Sequence, residues 1–523
     1  MAITLVALLA IRWHLSPYRK LPPGPRGVPL LGNLLQLSMQ PWQLFTEWKD
    51  IYGPIISLNL VGHTVIVLND HKVASDLLDQ RSAIYSGRPR SIVGSEFLTG
   101  GLSLAFLSYG ETSKRMRRST HEALSKSGVK DYLRLQSMEA AIMTKGLLDE
   151  PAKFDAHLLR TTTSITTNII YGADTMRRAT DPAIKQISAF MARALRAAQP
   201  GAYLVELFTW MKYMPTWLAK WKRDALEHYN SDSKVFESLF DGVAEKIAKG
   251  DEQPSIVASL ISQQKRHGLT KAESSWLAAT FYGAGVETTA GVLVFFIQAM
   301  LHYPHVQERA QAELDAVVGR SRMPTFEDME NLPYIRAIAR EALRWKPVGP
   351  GGMPHMLMED DWYDGYFIPK GAIVLPNIWA MNRNPEVYGP DATEFRPERF
   401  LASSRSSSPV DGMSSYTYRP EDDAILAPAP RYTKEEGHVT YGYGRRICPG
   451  RFLANNSLFI DIACMLWGCS FTPLVDASGQ KILPDIKNHT SDGIILRAMP
   501  FECDITPRFP EVADVIAQTE ESF

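Results

Sequence analysis

Apolar and polar positions alternate from Ile55 to Leu68, a stretch rich in β-branched residues with Gly62-His63 at its centre, and this predicts a β-hairpin. From about Lys72 to His302 the apolar spacing is mainly helical, interrupted by Gly-Pro and Ser-Gly clusters. The last helix of that stretch is the longest. Thr270-Lys271-Ala272-Glu273 forms a capping box, and an apolar run continues to about His302, just before Pro304. A helix that is apolar nearly all round has to be buried. β-Rich patches return at Asp360–Pro376 and Ile482–Ile505. A further apolar segment, Phe452 to Leu466, predicts a buried helix starting near Pro449, a residue suited to a first turn. Helices dominate, strands come in small groups and no internal repeat is visible, so the fold class is mainly α with small β-sheets (α+β).

Residues 1–20 open with the apolar run Met1 to Ile11, followed by Arg12, Arg19 and Lys20. About eleven residues of helix reach roughly 16 Å against a hydrocarbon core of roughly 30 Å, so the segment reads as a shortened membrane anchor. It lacks the leading charge and clear cleavage site of a signal peptide. Residues 21–28, with Pro22, Pro23 and Pro25, read as a stiff hinge, because proline fixes φ and removes donors. Ala402 to His438 is a long Ser- and Pro-rich connection, expected to be a mobile surface excursion.

The 523 residues, 45% apolar and 22% charged, suit a globular enzyme-sized chain, and a net charge of -1 argues against a dedicated nucleic-acid binder. Four unevenly spaced cysteines make no disulfide framework and favour a reducing compartment. One of them, Cys448, stands in Tyr441-Gly442-Tyr443-Gly444-Arg445-Arg446-Ile447-Cys448-Pro449-Gly450. Gly442 and Gly444 allow a tight turn and close approach of a flat ligand. Arg446 offers charge to an anion, and the arginine pair helps hold Cys448 as thiolate, as does the helix N-terminus that follows. A soft anionic sulfur with no C-x-x-C partner fits the axial ligand of a haem iron, and not zinc, which takes four ligands. The alternative is a buried unreactive cysteine in a tight turn; Cys464, Cys469 and Cys503, without such context, read as packing residues. The middle of the long helix, Gly283-Ala284-Gly285-Val286-Glu287-Thr288-Thr289, is costly in a buried helix. Gly285 would let a flat ligand or dioxygen approach the backbone, the threonine hydroxyls can back-bond to carbonyls, and Glu287 with Thr288 can relay protons.

The loop resembles the haem-binding loop of the cytochrome P450 monooxygenases, F-x-x-G-x-R-x-C-x-G: Gly444, Arg446, Cys448 and Gly450 match, and Tyr441 stands where phenylalanine is usual. The long helix is similar to the family's oxygen-activation motif A-G-x-[DE]-T-[TS], which implies that Thr288, with Glu287 and Thr289, handles oxygen and its protons. Glu341 and Arg344, three apart on one helix face, with Phe395-Arg396-Pro397-Glu398-Arg399-Phe400, match the E-x-x-R and P-E-R-F elements and imply a buried Glu341–Arg344–Arg399 network. The P-H step at Pro354-His355 and the W-x-x-x-R helix, here with Ser113 at the tryptophan position, imply that His355 and Arg117 bind haem propionates.

What the resemblance implies for the whole is a triangular prism with haem b between the long central helix and the cysteine loop, in one catalytic domain over residues 29–523. It further implies a lipophilic substrate and O2, with electrons from NADPH through a separate NADPH–cytochrome P450 reductase. The pocket would lie between Ser91–Phe106, Ala189–Met214, Phe281–Thr289, Val348–Met353 and the turn near Ser491. Lys114, Arg115, Arg118 and Arg445 would steer the acidic donor, and the apolar stretch from Pro200 to Lys212 would rest on a membrane surface. The expected setting is the endoplasmic reticulum membrane of a fungus, a basidiomycete by the wording from Pro200 to Arg223, with a monomer facing the cytosol and the sequons at Asn455 and Asn488 silent. Two other readings stay open, an isomerase or dehydratase of an oxidised lipid and a non-catalytic haem sensor.

Overall fold

The long central helix, α7 (Lys271–His302), starts where its capping box sets it: Glu273 N–H donates to Thr270 Oγ1 at 3.1 Å and Thr270 N–H to Glu273 Oε2 at 2.7 Å. The computed structural model describes residues 14–173, 182–199, 201–251, 253–402, 426–491 and 494–523. Most of the anchor segment and residues 403–425 of the Ser-rich connection lie outside them. Ten further long helices are α1 (Pro41–Tyr52), α2 (Glu111–Leu124), α3 (Leu133–Asp149), α4 (Phe154–Tyr171), α5 (Pro182–Ala198), α6 (Lys220–Ala248), α8 (Pro304–Val317), α9 (Pro333–Trp345), α10 (Arg451–Gly468) and α11 (Val512–Glu521).

Burial along α7 divides the core in two. Its first half, Trp276 to Val286, packs with α4, α5 and α6, where Phe190 and Phe236 meet Trp276 edge-on at 5.4 and 5.0 Å. Its second half, Val292 to Leu301, packs with α3, α9 and α10. Glu287, Thr288 and Thr289 occupy the interval between the two clusters, so the polar residues that cost helix propensity sit where apolar packing is interrupted. By length and composition α7 would cross a membrane; its burial makes it a core helix instead.

The predicted hairpin is β1 (Ile55–Leu60) against β2 (His63–Leu68), turning through Val61 and Gly62 at φ 51° and 88°. β2 runs parallel to Ile373–Pro376, which pairs antiparallel with His355–Met356, and so the sheet fixes where His355 emerges. The proline-rich hinge is stitched to β1: Ser57 N–H donates to the Pro23 carbonyl at 2.9 Å and Ser57 Oγ to that of Pro22 at 2.5 Å. Small two-stranded pairings at Asp361–Tyr363 with Tyr366–Ile368, Cys469–Thr472 with Asp504–Pro507 and His489–Ser491 with Leu496–Ala498 make up the later β-patches. The described end of the Ser-rich connection is packed, with Glu436 and His438 buried.

Candidate active site

The cysteine loop is held by its own backbone. Cys448 N–H donates to the Tyr441 carbonyl at 2.9 Å, and Gly444–Arg446 forms a 3-10 turn. The two glycines act differently. Gly444 has φ +53°, and a Cβ there would lie 2.0 Å from the Leu78 carbonyl, so this glycine serves contact with the Ser75–Gln80 segment and not a flat ligand. Its N–H donates to Asp79 Oδ1 at 2.7 Å. Gly442, at φ +78°, has nothing within 4 Å of its missing Cβ and leaves open space on its side. The following helix begins at Arg451 with Gly450 as cap, two residues later than expected.

Burial pushes the Cys448 thiol above its ordinary value; the Gly450 N–H, Arg117 and Arg451 pull it down, and Glu436 pushes it up. The expectation that Arg445 and Arg446 hold the thiolate is therefore corrected. Arg446 is turned away, with Nε donating to the Ser86 carbonyl at 2.9 Å and Nη2 to that of Leu107 at 2.8 Å, and Arg445 goes to the Tyr109 hydroxyl. Ionisation of this sulfur calls for a cation bonded to it.

Basic groups converge beside the loop. Arg117 Nη2 donates to the carbonyl of Ile447, the residue before the cysteine, at 2.6 Å. Arg88, which the sequence reading missed, is buried; its Nη1 donates to the Met353 and Pro354 carbonyls at 3.2 and 2.5 Å, and its Nε is buried without an acceptor. Burial, Arg446 and Arg117 lower its pKa to about 9, and burial and Arg117 lower that of Arg446 to about 10. His355 Nδ1–H donates to the Tyr85 carbonyl at 2.8 Å, and burial with Arg88 and Arg446 holds its pKa near 3. The acceptors of these four side chains are backbone carbonyls, with no carboxylate among them. With His355 neutral, the three arginines are a partly buried excess of positive charge, of the kind an anionic ligand relieves. Ser113 takes no part: its hydroxyl closes the first turn of α2 on Gly110. Tyr441 is half-buried and its hydroxyl donates to Asn455 Oδ1 at 2.7 Å.

On α7, Thr288 Oγ1 donates to the Ala284 carbonyl at 2.8 Å, and Ala284 is exposed midway along the helix, among half-buried neighbours. Gly285 does not face that opening. A Cβ there would come 3.1 Å from Thr166 Oγ1, so the glycine admits α4, as Gly283 admits Met191 of α5. The missing Cβ of Gly285 thus serves packing against α4. Glu287 is not a buried acid: its carboxylate pairs with Arg497 at 3.2 Å, with the two side chains 34% and 37% exposed. Thr289 is half-buried. Val348 packs against α7 at Gly291, and Leu104 is buried in the cluster around Trp276.

Behind the loop, Glu341 takes a bidentate pair from Arg344, at 2.6 and 2.7 Å, together with Arg399 Nε at 3.1 Å and the Arg396 N–H at 2.7 Å. Arg344 also donates to the carbonyls of Asn382, Ala392 and Glu394. On the outer face, Arg117, Arg118, His121, Arg266 and Arg451 line a groove of about 500 Å³ beside Ile447 and Pro449. Arg115 is not free there, being tied to the Gly268 carbonyl and to Glu273.

A cysteine on a glycine turn, a half-open side at Gly442 and a rim of arginines without carboxylates describe a site for a flat, anionic group bonded through sulfur. The sequence model of the Cytochrome P450 family matches residues 22–497. A cytochrome P450 monooxygenase of Armillaria gallica is 49% identical over 99% of this chain and 96% of its own. Cytochrome P450 monooxygenase 58 of Postia placenta is 46% identical over 96% and 91%, and monooxygenase iboC of Amanita muscaria 39% over 100% and 97%. A zebra fish cytochrome P450 solved with abiraterone shares the fold, with a TM-score of 0.68, 24% identity and cover of 90% of this chain and all of that one. The chain belongs to the cytochrome P450 family and is a cytochrome P450 monooxygenase, and the family implies haem held by a cysteine thiolate.

Proposed function

We propose that Cys448 would hold haem b through its thiolate, and that the protein uses electrons from NADPH, passed by a separate reductase, to hydroxylate a lipophilic small molecule. The observation that carries this reading is the set Arg88, Arg117, Arg446 and His355, whose side chains find only carbonyl acceptors beside the cysteine loop. Two carboxylates of a haem edge would supply the missing acceptors. Neutral His355 has given its Nδ1–H to Tyr85 and has no proton left for a carboxylate, so the three arginines would carry the haem edge, and His355 would join them only once protonated on Nε2.

When bound, haem with a thiolate ligand activates O2, so that one oxygen atom enters a C–H bond and the other leaves as water with two protons and two electrons. The chain's own residues do the rest. Thr288, parked on the Ala284 carbonyl, has a hydroxyl proton it can give by turning away from that bond. Glu287, part-exposed and paired with Arg497, is the neighbouring acid that would exchange protons with solvent. Val348, packed against α7 at Gly291, and Leu104, in the cluster around Trp276, would each add apolar surface suited to a lipophilic substrate. Arg118 and Arg451, with Arg266 paired to Glu122 at 3.6 Å, give the outer groove a net positive lining that would suit an acidic electron donor.

Exposed Trp210, Tyr213 and Trp217, at 65%, 83% and 78%, with Leu30 at 92%, support contact with the endoplasmic reticulum membrane and a cytosolic face for one domain over residues 29–523. The test is reconstitution with a reductase and NADPH, scoring a product one oxygen heavier. Thr288→Ala should lower product per NADPH by about tenfold or more. No substrate-dependent NADPH use from haem-loaded protein would refute the assignment.

A further inference from the structure

The departure from phenylalanine at position 441 has a structural counterpart outside the residues already placed. Tyr441 receives the Cys448 N–H on its carbonyl at 2.9 Å, and its ring lies 5.6 Å from that of the buried His438. Its hydroxyl reaches Asn455 Oδ1 at 2.7 Å; Asn455 Nδ2 reaches Glu436 Oε1 at 3.3 Å; and Arg451 Nε stands 4.0 Å from the same oxygen. The direction of this chain follows from its end. A carboxylate only accepts, so Asn455 must turn its amide N–H to Glu436 and its oxygen to Tyr441, and the tyrosine must donate. Glu436 is 7% exposed, close enough to Cys448 to oppose the pull of Arg117 and Arg451 on that thiol.

We infer that Tyr441 and Asn455 are positioning residues that anchor the Glu436 carboxylate beside Cys448, and that this fixed negative charge lowers the reduction potential of the metal bonded to the sulfur. The inference rests on Cys448 being the haem ligand. Its physical basis is that a negative charge held in a partly desolvated site disfavours arrival of an electron nearby, and that outer partners of a ligand set its donor strength. Without the tyrosine proton, Asn455 Oδ1 loses its partner and the amide is free to rotate, which leaves the carboxylate with the 4.0 Å contact to Arg451 and the charge of Arg340 and lets it turn toward water.

The test is potentiometric titration of the haem-loaded full chain, with the carbon-monoxide difference spectrum recorded on the same samples. Glu436→Gln keeps the shape and an acceptor for Asn455 and removes only the charge; its potential should be more positive than wild type. Tyr441→Phe should shift in the same direction, and the double variant should go no further than Glu436→Gln alone, because both remove one effect. Wild-type potential in either variant, or shifts that add in the double variant, would overturn the inference. Should Glu436→Gln fail to hold haem, Tyr441→Phe, which restores the family's usual residue, decides by itself. A wild type lacking the red-shifted carbon-monoxide band would instead refute the ligand assignment, so the two failures are told apart.

Discussion

Replacing Glu341 by glutamine removes one charge from the most deeply buried ionic network near the cysteine loop. The carboxylate accepts four hydrogen bonds, from Arg344 Nε and Nη2, Arg399 Nε and the Arg396 N–H. Glu341 and Arg344 side chains are 0% exposed and that of Arg399 4%, so water cannot take over. The amide keeps the volume but leaves the buried Arg344 guanidinium without an anion, leaves Arg399 only the Asp391 carboxylate at 3.4 Å, and turns an N–H toward at least one donor. Breaking a buried pair from one side costs about 3–5 kcal/mol, a large part of the roughly 5–15 kcal/mol that holds a typical domain together. The assay is equilibrium urea unfolding followed by far-ultraviolet circular dichroism. Because the slope grows with the surface exposed on unfolding, the readout is the midpoint shift multiplied by the slope, expected at about 3–5 kcal/mol. A variant within about 1 kcal/mol of wild type would refute the reasoning and leave the network a decorative one.

Three other outcomes follow from particular residues. Gly442→Ala, strained but unobstructed, should cost about 1–2 kcal/mol and keep haem, whereas Gly444→Ala, driven into the Leu78 carbonyl, should lose the haem content measured after purification. Arg88→Gln and Arg446→Gln each remove a charged donor worth about 1.5–3 kcal/mol, so haem transfer to apomyoglobin should run about 10- to 100-fold faster; unchanged rates would dismiss them as haem-binding residues. Burial and Arg383 hold the Lys346 ammonium near 7 against an ordinary 10.5, so the unfolded chain binds more protons between those values and stability from this group rises with pH across that window. Lys346→Met should flatten the slope of melting temperature against pH between about 7 and 10; an unchanged slope counts against the assignment.

Features set by neighbouring residues were readable from the chain. The capping box of α7 and the turn at Val61-Gly62 depend on side chains and φ values within a few positions, and the cysteine loop on its own glycines. Features set by which surface meets which were not. Nothing near Gly285 tells that its face meets Thr166 and not a ligand, and Glu287 looked buried because Arg497 lies 210 positions away. Arg88 was indistinguishable from any other arginine until the fold brought it to the Pro354 carbonyl, 266 positions on. The Tyr441 substitution was visible, but its use was not, since Asn455 and Glu436 meet it only through the folding of the loop onto α10. The cysteine thiolate was credited to Arg445 and Arg446, whereas the arginines that favour it are Arg117 of α2 and Arg451 at the start of α10.

The central claim is that Cys448 bonds the haem iron, and the reduced carbon-monoxide difference spectrum of the wild type beside Cys448→Ser addresses it most directly. A Soret band strongly red-shifted from that of a histidine-ligated haem, present in the wild type and lost in the variant, is the predicted result. A well-folded, haem-loaded wild type without that band, or a Cys448→Ser protein that retains it, would contradict the account.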